Sequence, residues 1–378
     1  MNPGHNLTVT SQARILDFRE NGDGIHKLGW NLPEEELIHI PEHWRQFDEP
    51  EGCLHLLLGL LYIVYFILAI TGNGLVIWIF STAKPLRTAS NMFVVNLAIF
   101  DFLIMASFPI FLYNTFQRGY AVGFAGCQAY AFMGSIAGIG AGMTNACIAY
   151  DRYTTITSPL DGKLNRTKAL ILVILVWLYT IPWSVMPLLE IWGRFTAEGF
   201  LTACSFDYLT NTFENRVFVG CIFAWSYALP MSLIIFFYSQ IVSKIFSHEK
   251  ALREQAKKMN VKSLRSNQDT QKESAEVRIA KAALTVCFLY VAAWTPYATV
   301  SLIGAFGDQA LLTPGVTMIP ACFCKCVACL DPYVYAISHP RFRLELQKRL
   351  PWLAIKEQEH SDSASTATET SAPTQAEA

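Results

Sequence analysis

Charge is what this chain is short of. Asp, Glu, Lys and Arg make up 16% of its 378 residues, against about a quarter in soluble domains. Hydrophobic residues reach 52%. That balance excludes an ordinary soluble domain and describes an integral membrane protein. The net charge of -1 offers no basic excess for a nucleic-acid partner, and because the charges segregate by loop their sum says nothing about partners. The opening stretch MNPGHNLTVTSQAR lacks the apolar core of a cleavable signal peptide, so the first hydrophobic span is expected to act as an uncleaved signal-anchor. No cysteine follows residue 338, which excludes a palmitoyl anchor there.

Long apolar runs are what the chain does have. Seven of them, near residues 54–80, 91–116, 127–155, 169–189, 217–242, 277–306 and 314–337, are long enough to cross a bilayer as helices. The expected fold is all-α, a seven-transmembrane helix bundle. Residues 1–53 form an extracellular tail, 54–337 the bundle, and 338–378 a short amphipathic cytoplasmic helix with a disordered, Ser/Thr-rich tail open to phosphorylation. Basic residues set the orientation. Lys84, Arg87, Lys163, Arg166, Lys168 and the cluster from Lys244 to Arg265 lie on one side, the acidic segments around Glu36 and Asp207 on the other. The N-terminus is therefore placed outside, where the sequon Asn6-Leu7-Thr8 is a glycosylation site. The sequon at Asn165 falls inside and is rejected.

Lys325 is a primary amine in the middle of the last span. Burial there costs about 2.5–3.5 kcal/mol on insertion scales, which marks a functional site. A desolvated lysine favours the neutral amine, the nucleophile that an aldehyde needs to form a Schiff base. Cys322, Cys324, Cys326 and Cys329 surround it, but Cys324 points away from the face the other three share, so small buried hydrophobes fit better than a metal site. Cys127 and Cys204 lie on the oxidising side and are expected to form a disulfide holding the second outer loop as a lid. Asp101 and Asp331 are buried carboxylates, assigned to internal hydrogen bonds or a cation and water network. Asp151-Arg152-Tyr153 closes the third span, and Glu276 at the start of the sixth is expected to pair with Arg152 in a closed state, a pair that opens as the sixth helix swings out.

Taken with Gly72-Asn73, Leu97-Ala98-Ile99-Phe100-Asp101, Trp177, Trp294-Thr295-Pro296 and Asp331-Pro332-Tyr333-Val334-Tyr335, these residues resemble the rhodopsin-type G-protein-coupled receptors over about residues 54–350. Lys325, six residues before Asp331, resembles the chromophore lysine of opsins. GWNLPEEELIHIPEHW and HEKALREQAKKMNVKSLRSN are similar to arthropod visual opsins.

That resemblance implies a visual photoreceptor and not an enzyme. It implies 11-cis-retinal or 3-hydroxyretinal on Lys325, with Trp294 and Tyr297 against the polyene. It further implies a heterotrimeric G protein of the Gq class signalling through phospholipase C, arrestin, a receptor kinase, and residence in the rhabdomeric plasma membrane. Asp151, Arg152, Tyr153, Glu276, Asp331, Pro332 and Tyr335 would form the G-protein switch. Tyr130 stands where vertebrate visual opsins carry the glutamate counterion, which leaves Glu198 as the expected counterion. Ultraviolet opsins of arthropods resemble this chain but carry a lysine where Ser107 stands. Its absence predicts a blue-sensitive pigment, with an ultraviolet-sensitive opsin as the alternative. A retinal photoisomerase, a receptor for a diffusible ligand and a light-driven pump are the competing readings.

Overall fold

The computed structural model describes residues 20–21, 25–158, 163–258 and 267–353. Seven helices long and apolar enough to cross a membrane run Gly52–Thr82, Ala89–Phe116, Gly123–Thr157, Arg166–Leu188, Phe213–Ser247, Lys281–Phe306 and Pro314–Val334. They match the seven expected spans to within several residues. The third is the hub: 67% of its most apolar window is buried, against 22% for the fourth span and 28% for the first. The outer faces of those two spans carry exposed Leu57, Leu60, Val64, Ile171, Leu175 and Leu178. Apolar residues on the outside are what a hydrocarbon solvent selects.

Local chemistry explains where the spans begin and bend. The second, fourth and fifth are capped by Thr88, Asn165 and Thr212, whose side chains accept from the backbone N–H three residues on. The second span breaks at Ser107, two residues before Pro109, whose ring and missing N–H cannot continue the preceding turns. A π-helical turn at Ala224–Ala228 precedes Pro230 in the fifth span. Close crossing at the hub depends on small residues. A Cβ added to Gly138 would come 2.5 Å from the Trp294 ring.

Two parts of the molecule depart from the sequence expectation. The loop between the fourth and fifth spans is an antiparallel hairpin, Phe195–Glu198 paired with Ala203–Phe206, in the register Phe195↔Phe206, Thr196↔Ser205, Ala197↔Cys204 and Glu198↔Ala203. Every residue of its first strand is buried, so the hairpin sits in the mouth of the bundle. Residues 27–51, expected only as a tail, also fold onto this end. Leu28, Leu32, Ile40 and Trp44 join the same buried cluster as Cys127, Leu201 and Leu312. The short helix Pro340–Arg349 packs at the opposite end, with Phe342 stacked on Phe80 at 5.1 Å and the Arg349 guanidinium 4.9 Å above the Trp78 ring. Asn6 and the Ser/Thr-rich tail lie outside the described residues.

Candidate functional site

The hairpin is tied to the third span by the disulfide Cys127–Cys204, as the sequence led one to expect. Because Ala197 pairs with Cys204, the bridge fixes the strand that carries Glu198. That carboxyl is 3% exposed. It accepts hydrogen bonds from Ser205 Oγ at 2.9 Å, Tyr208 OH at 3.0 Å and Tyr297 OH at 3.2 Å. Burial pushes its pKa above the ordinary carboxylate range, while the Lys325 charge and the three hydroxyl donors pull the other way. The same carboxyl raises Tyr208, whose phenol burial already holds protonated.

Lys325 comes to this carboxyl from the seventh span. Its Nζ lies 5.9 Å from the centroid of the Tyr130 ring, and Tyr130 is 3% exposed, seven residues beyond the start of the third span. Trp294 and Tyr297, from the sixth span, meet edge to face at 6.2 Å. Lys325, Trp294 and Tyr297 are only partly buried, whereas Tyr130 and Glu198 beside them are buried. Five residues singled out in the sequence therefore converge from four elements. The cysteines divide as helical geometry requires, with Cys324 Sγ contacting the Ala293 carbonyl at 3.4 Å and Cys329 Sγ the Tyr65 carbonyl at 3.4 Å. Ser107 is buried and donates to the Ile104 carbonyl at 2.6 Å.

Three partners of this site were missed in the sequence. Ser205 and Tyr208 face Glu198 only through the hairpin register. Gly138 makes room for Trp294, and its one signal was a glycine-rich third span.

The other expected residues lie elsewhere. Asp101 and Asp331 are buried close enough to influence one another, and Asp101 Oδ2 and Asp331 Oδ1 lack hydrogen-bond partners. Pro332 packs against Gly72, and Asn73 Nδ2 donates to the Ala328 carbonyl at 2.8 Å. At the far end Asp151 pairs with Arg152 and accepts from Ser90 Oγ at 2.8 Å, while Tyr153 packs on Phe237. Glu276 lies on the helix Asn267–Phe306. The side chains of Glu276 and Tyr335 fall outside the described residues, so the expected Glu276–Arg152 pair stays an expectation. Nearby, His339 caps the short helix, its Nδ1 accepting from Phe342 N at 3.2 Å. Burial, with the Arg152 and Arg341 charges, depresses its pKa to about 4.

Seven spans, an amine inside the last and an Asp-Arg-Tyr triplet closing the third define a seven-transmembrane receptor, and the model of the rhodopsin family of such receptors matches residues 72–335. The chain belongs to that family and, within it, to the insect ultraviolet and short-wavelength visual opsins, as its relatives establish. It is 67% identical to "Opsin, ultraviolet-sensitive" of Apis mellifera over 91% of this chain and 92% of that protein. It is 58% identical to "Opsin Rh4" of Drosophila melanogaster over 94% of each. The crystal structure of squid rhodopsin superposes with a TM-score of 0.78 at 33% identity, covering 85% of this chain and 92% of that one. It is accordingly a membrane photoreceptor of the opsin type and not an enzyme.

Proposed function

We propose that this opsin carries a retinal aldehyde, 11-cis-retinal or 3-hydroxyretinal, as a Schiff base on Lys325, and that it is sensitive to ultraviolet light. The observation that carries the reading is the half-buried Lys325 amine, inside the last span, within electrostatic reach of the buried Glu198 carboxyl. The residues suit such a group. The lysine supplies the nitrogen, Trp294 and Tyr297 supply apolar walls, and the buried Tyr130 hydroxyl has no hydrogen-bond partner of ordinary geometry. When bound, retinal supplies the light absorption and the cis-to-trans change of shape. The protein's part is to hold the nitrogen dry, to set whether it carries a proton and to pass strain to the sixth span through Trp294.

The ultraviolet reading is preferred to the blue expectation on the support of the relatives. The 67% identical relative is named ultraviolet-sensitive. Burial also makes Glu198 hold its proton more tightly than an ordinary carboxylate, which weakens it as a counterion and so favours the unprotonated Schiff base, which absorbs at shorter wavelength. One observation favours the blue reading: Ser107 is uncharged and spends its hydroxyl on a backbone carbonyl, so no cation there opposes protonation. A dark absorption spectrum of the purified protein with 11-cis-retinal separates the two. A maximum in the ultraviolet is expected, one in the visible would return the blue pigment, and Lys325→Ala should yield no covalent pigment. No retinal-dependent band in the wild type would favour a receptor for a diffusible ligand.

The proposed partners are a heterotrimeric G protein of the Gq class at the Arg152 end, arrestin and a receptor kinase, with the N-terminus outside and the protein in rhabdomeric plasma membrane. The basic residues flanking that end, among them Lys84, Arg87 and Arg166, support this orientation. Light-dependent nucleotide exchange on Gq would be measured. Its absence from a pigment with normal spectra would favour a photoisomerase.

A further inference from the structure

The third span has no cap of its own. Val122 occupies its N-cap position and provides no side-chain acceptor, although a helix start leaves several N–H groups unpaired. The missing acceptor comes from 88 residues away: Glu36 Oε2 accepts from Phe124 N at 3.0 Å. Gly123 makes the approach possible. Its φ is +66°, and a Cβ there would lie 2.6 Å from Glu36 Oε1. The contact is reinforced by His39, stacked on Phe124 with ring centroids 4.1 Å apart, and by Asn114 Oδ1, which accepts from Val122 N at 3.0 Å. A carboxylate at this position also meets the positive end of the helix dipole.

The helix that Glu36 caps carries Cys127 and then Tyr130, so the cap stands one turn from the disulfide and two from the ring beside Lys325. Residues 27–51 meanwhile lie against the hairpin, with Leu201 Cδ1 3.8 Å from the position of a Gly29 Cβ. We propose that Glu36 is a positioning residue. It clamps the N-terminal segment onto the start of the third span, and the clamped pair keeps water and small nucleophiles from the C=N carbon of the Schiff base at Lys325. This rests on the proposed Schiff base at Lys325.

Hydroxylamine is the probe for access, because it attacks a Schiff base only where it can reach it. With wild-type pigment held in the dark, Glu36→Ala and Gly123→Ala are expected to speed loss of the pigment band about fivefold, the scale of a lost cap. Glu36→Gln, which keeps an acceptor oxygen without the charge, should fall between. Leu346→Ala, a buried position at the opposite end of the molecule, controls for general destabilisation and should leave the rate unchanged. Equal rates in wild type and Glu36→Ala would overturn the proposal, and so would an acceleration in Leu346→Ala matching that in Glu36→Ala. Hydrogen exchange of the Phe124 amide in chromophore-free protein tests the clamp separately. It should quicken in Glu36→Ala, and no change there removes the cap. If the wild type forms no pigment, the Schiff base reading fails while the exchange measurement still decides the role of Glu36.

Discussion

A carboxyl at 3% exposure with three hydroxyl donors has a proton affinity set by where the chain puts it. An acid whose pKa is raised by folding holds its proton more tightly when folded. The stability this brings is complete below the ordinary carboxylate range and is lost as pH rises through the raised value. Glu198→Gln is neutral at every pH, so its thermal unfolding midpoint should gain on that of the wild type as pH climbs above the ordinary carboxylate range. A difference that stayed constant would mean that the carboxyl titrates in the ordinary range. In the ultraviolet reading the same substitution leaves the dark maximum nearly where it was, whereas a blue pigment would lose its visible band. Gly138→Ala drives a methyl into Trp294. Such overpacking costs about 1–3 kcal/mol, and less pigment should regenerate per mole of protein. Lys325 was legible because a charge stands out in an apolar run. Gly138, Ser205 and Tyr208 were not, since each acquires its neighbour only through a register or crossing fixed by distant residues.

The hairpin is held by a covalent bond closing a loop of sequence separation 77, which in the chain-entropy picture stabilises the fold by about 4 kcal/mol. Cys204→Ser should therefore lower thermal stability steeply and with it the yield of pigment, measured by regeneration with 11-cis-retinal. At the opposite end His339 serves as an acceptor only while neutral, and its pKa of about 4 keeps it so under ordinary conditions. A base depressed in the fold loses its contribution as pH falls below the usual imidazole range. Acidification toward about 4 should lower the protection factor of the Phe342 amide, its exchange rate taken relative to the intrinsic rate at each pH. His339→Ala, about 1 kcal/mol weaker in capping, should show that loss of protection at neutral pH. The seven spans were legible in sequence because hydrocarbon demands unbroken apolar length. The hairpin was not, because all four residues of its first strand are buried, erasing the alternation that normally betrays a strand. Residues 27–51 escaped for a different reason: Leu28, Leu32, Ile40 and Trp44 are spaced in multiples of four, but Pro33 and Pro41 cut the stretch into single helical turns too short to show as an element.

Across the whole molecule the site and the Asp151-Arg152-Tyr153 triplet occupy opposite ends of one helix, the most buried of the seven. A signal between them has to travel as movement of packed spans, not as a ligand. Arg152→Gln should then leave the dark spectrum intact and abolish light-dependent nucleotide exchange. Retained exchange would separate that arginine from signalling.

The sulfur bridge carries one more consequence, for how the protein is made. It closes only after both thiols reach an oxidising lumen, so maturation depends on the redox state of the secretory pathway as well as on supply of the chromophore. Eight other cysteines stay reduced, and Cys53, exposed at the hairpin end of the first span, is the one best placed to be captured by mistake. Cells grown with a mild reductant should accumulate apoprotein that never regenerates, and Cys53→Ser should recover part of that loss.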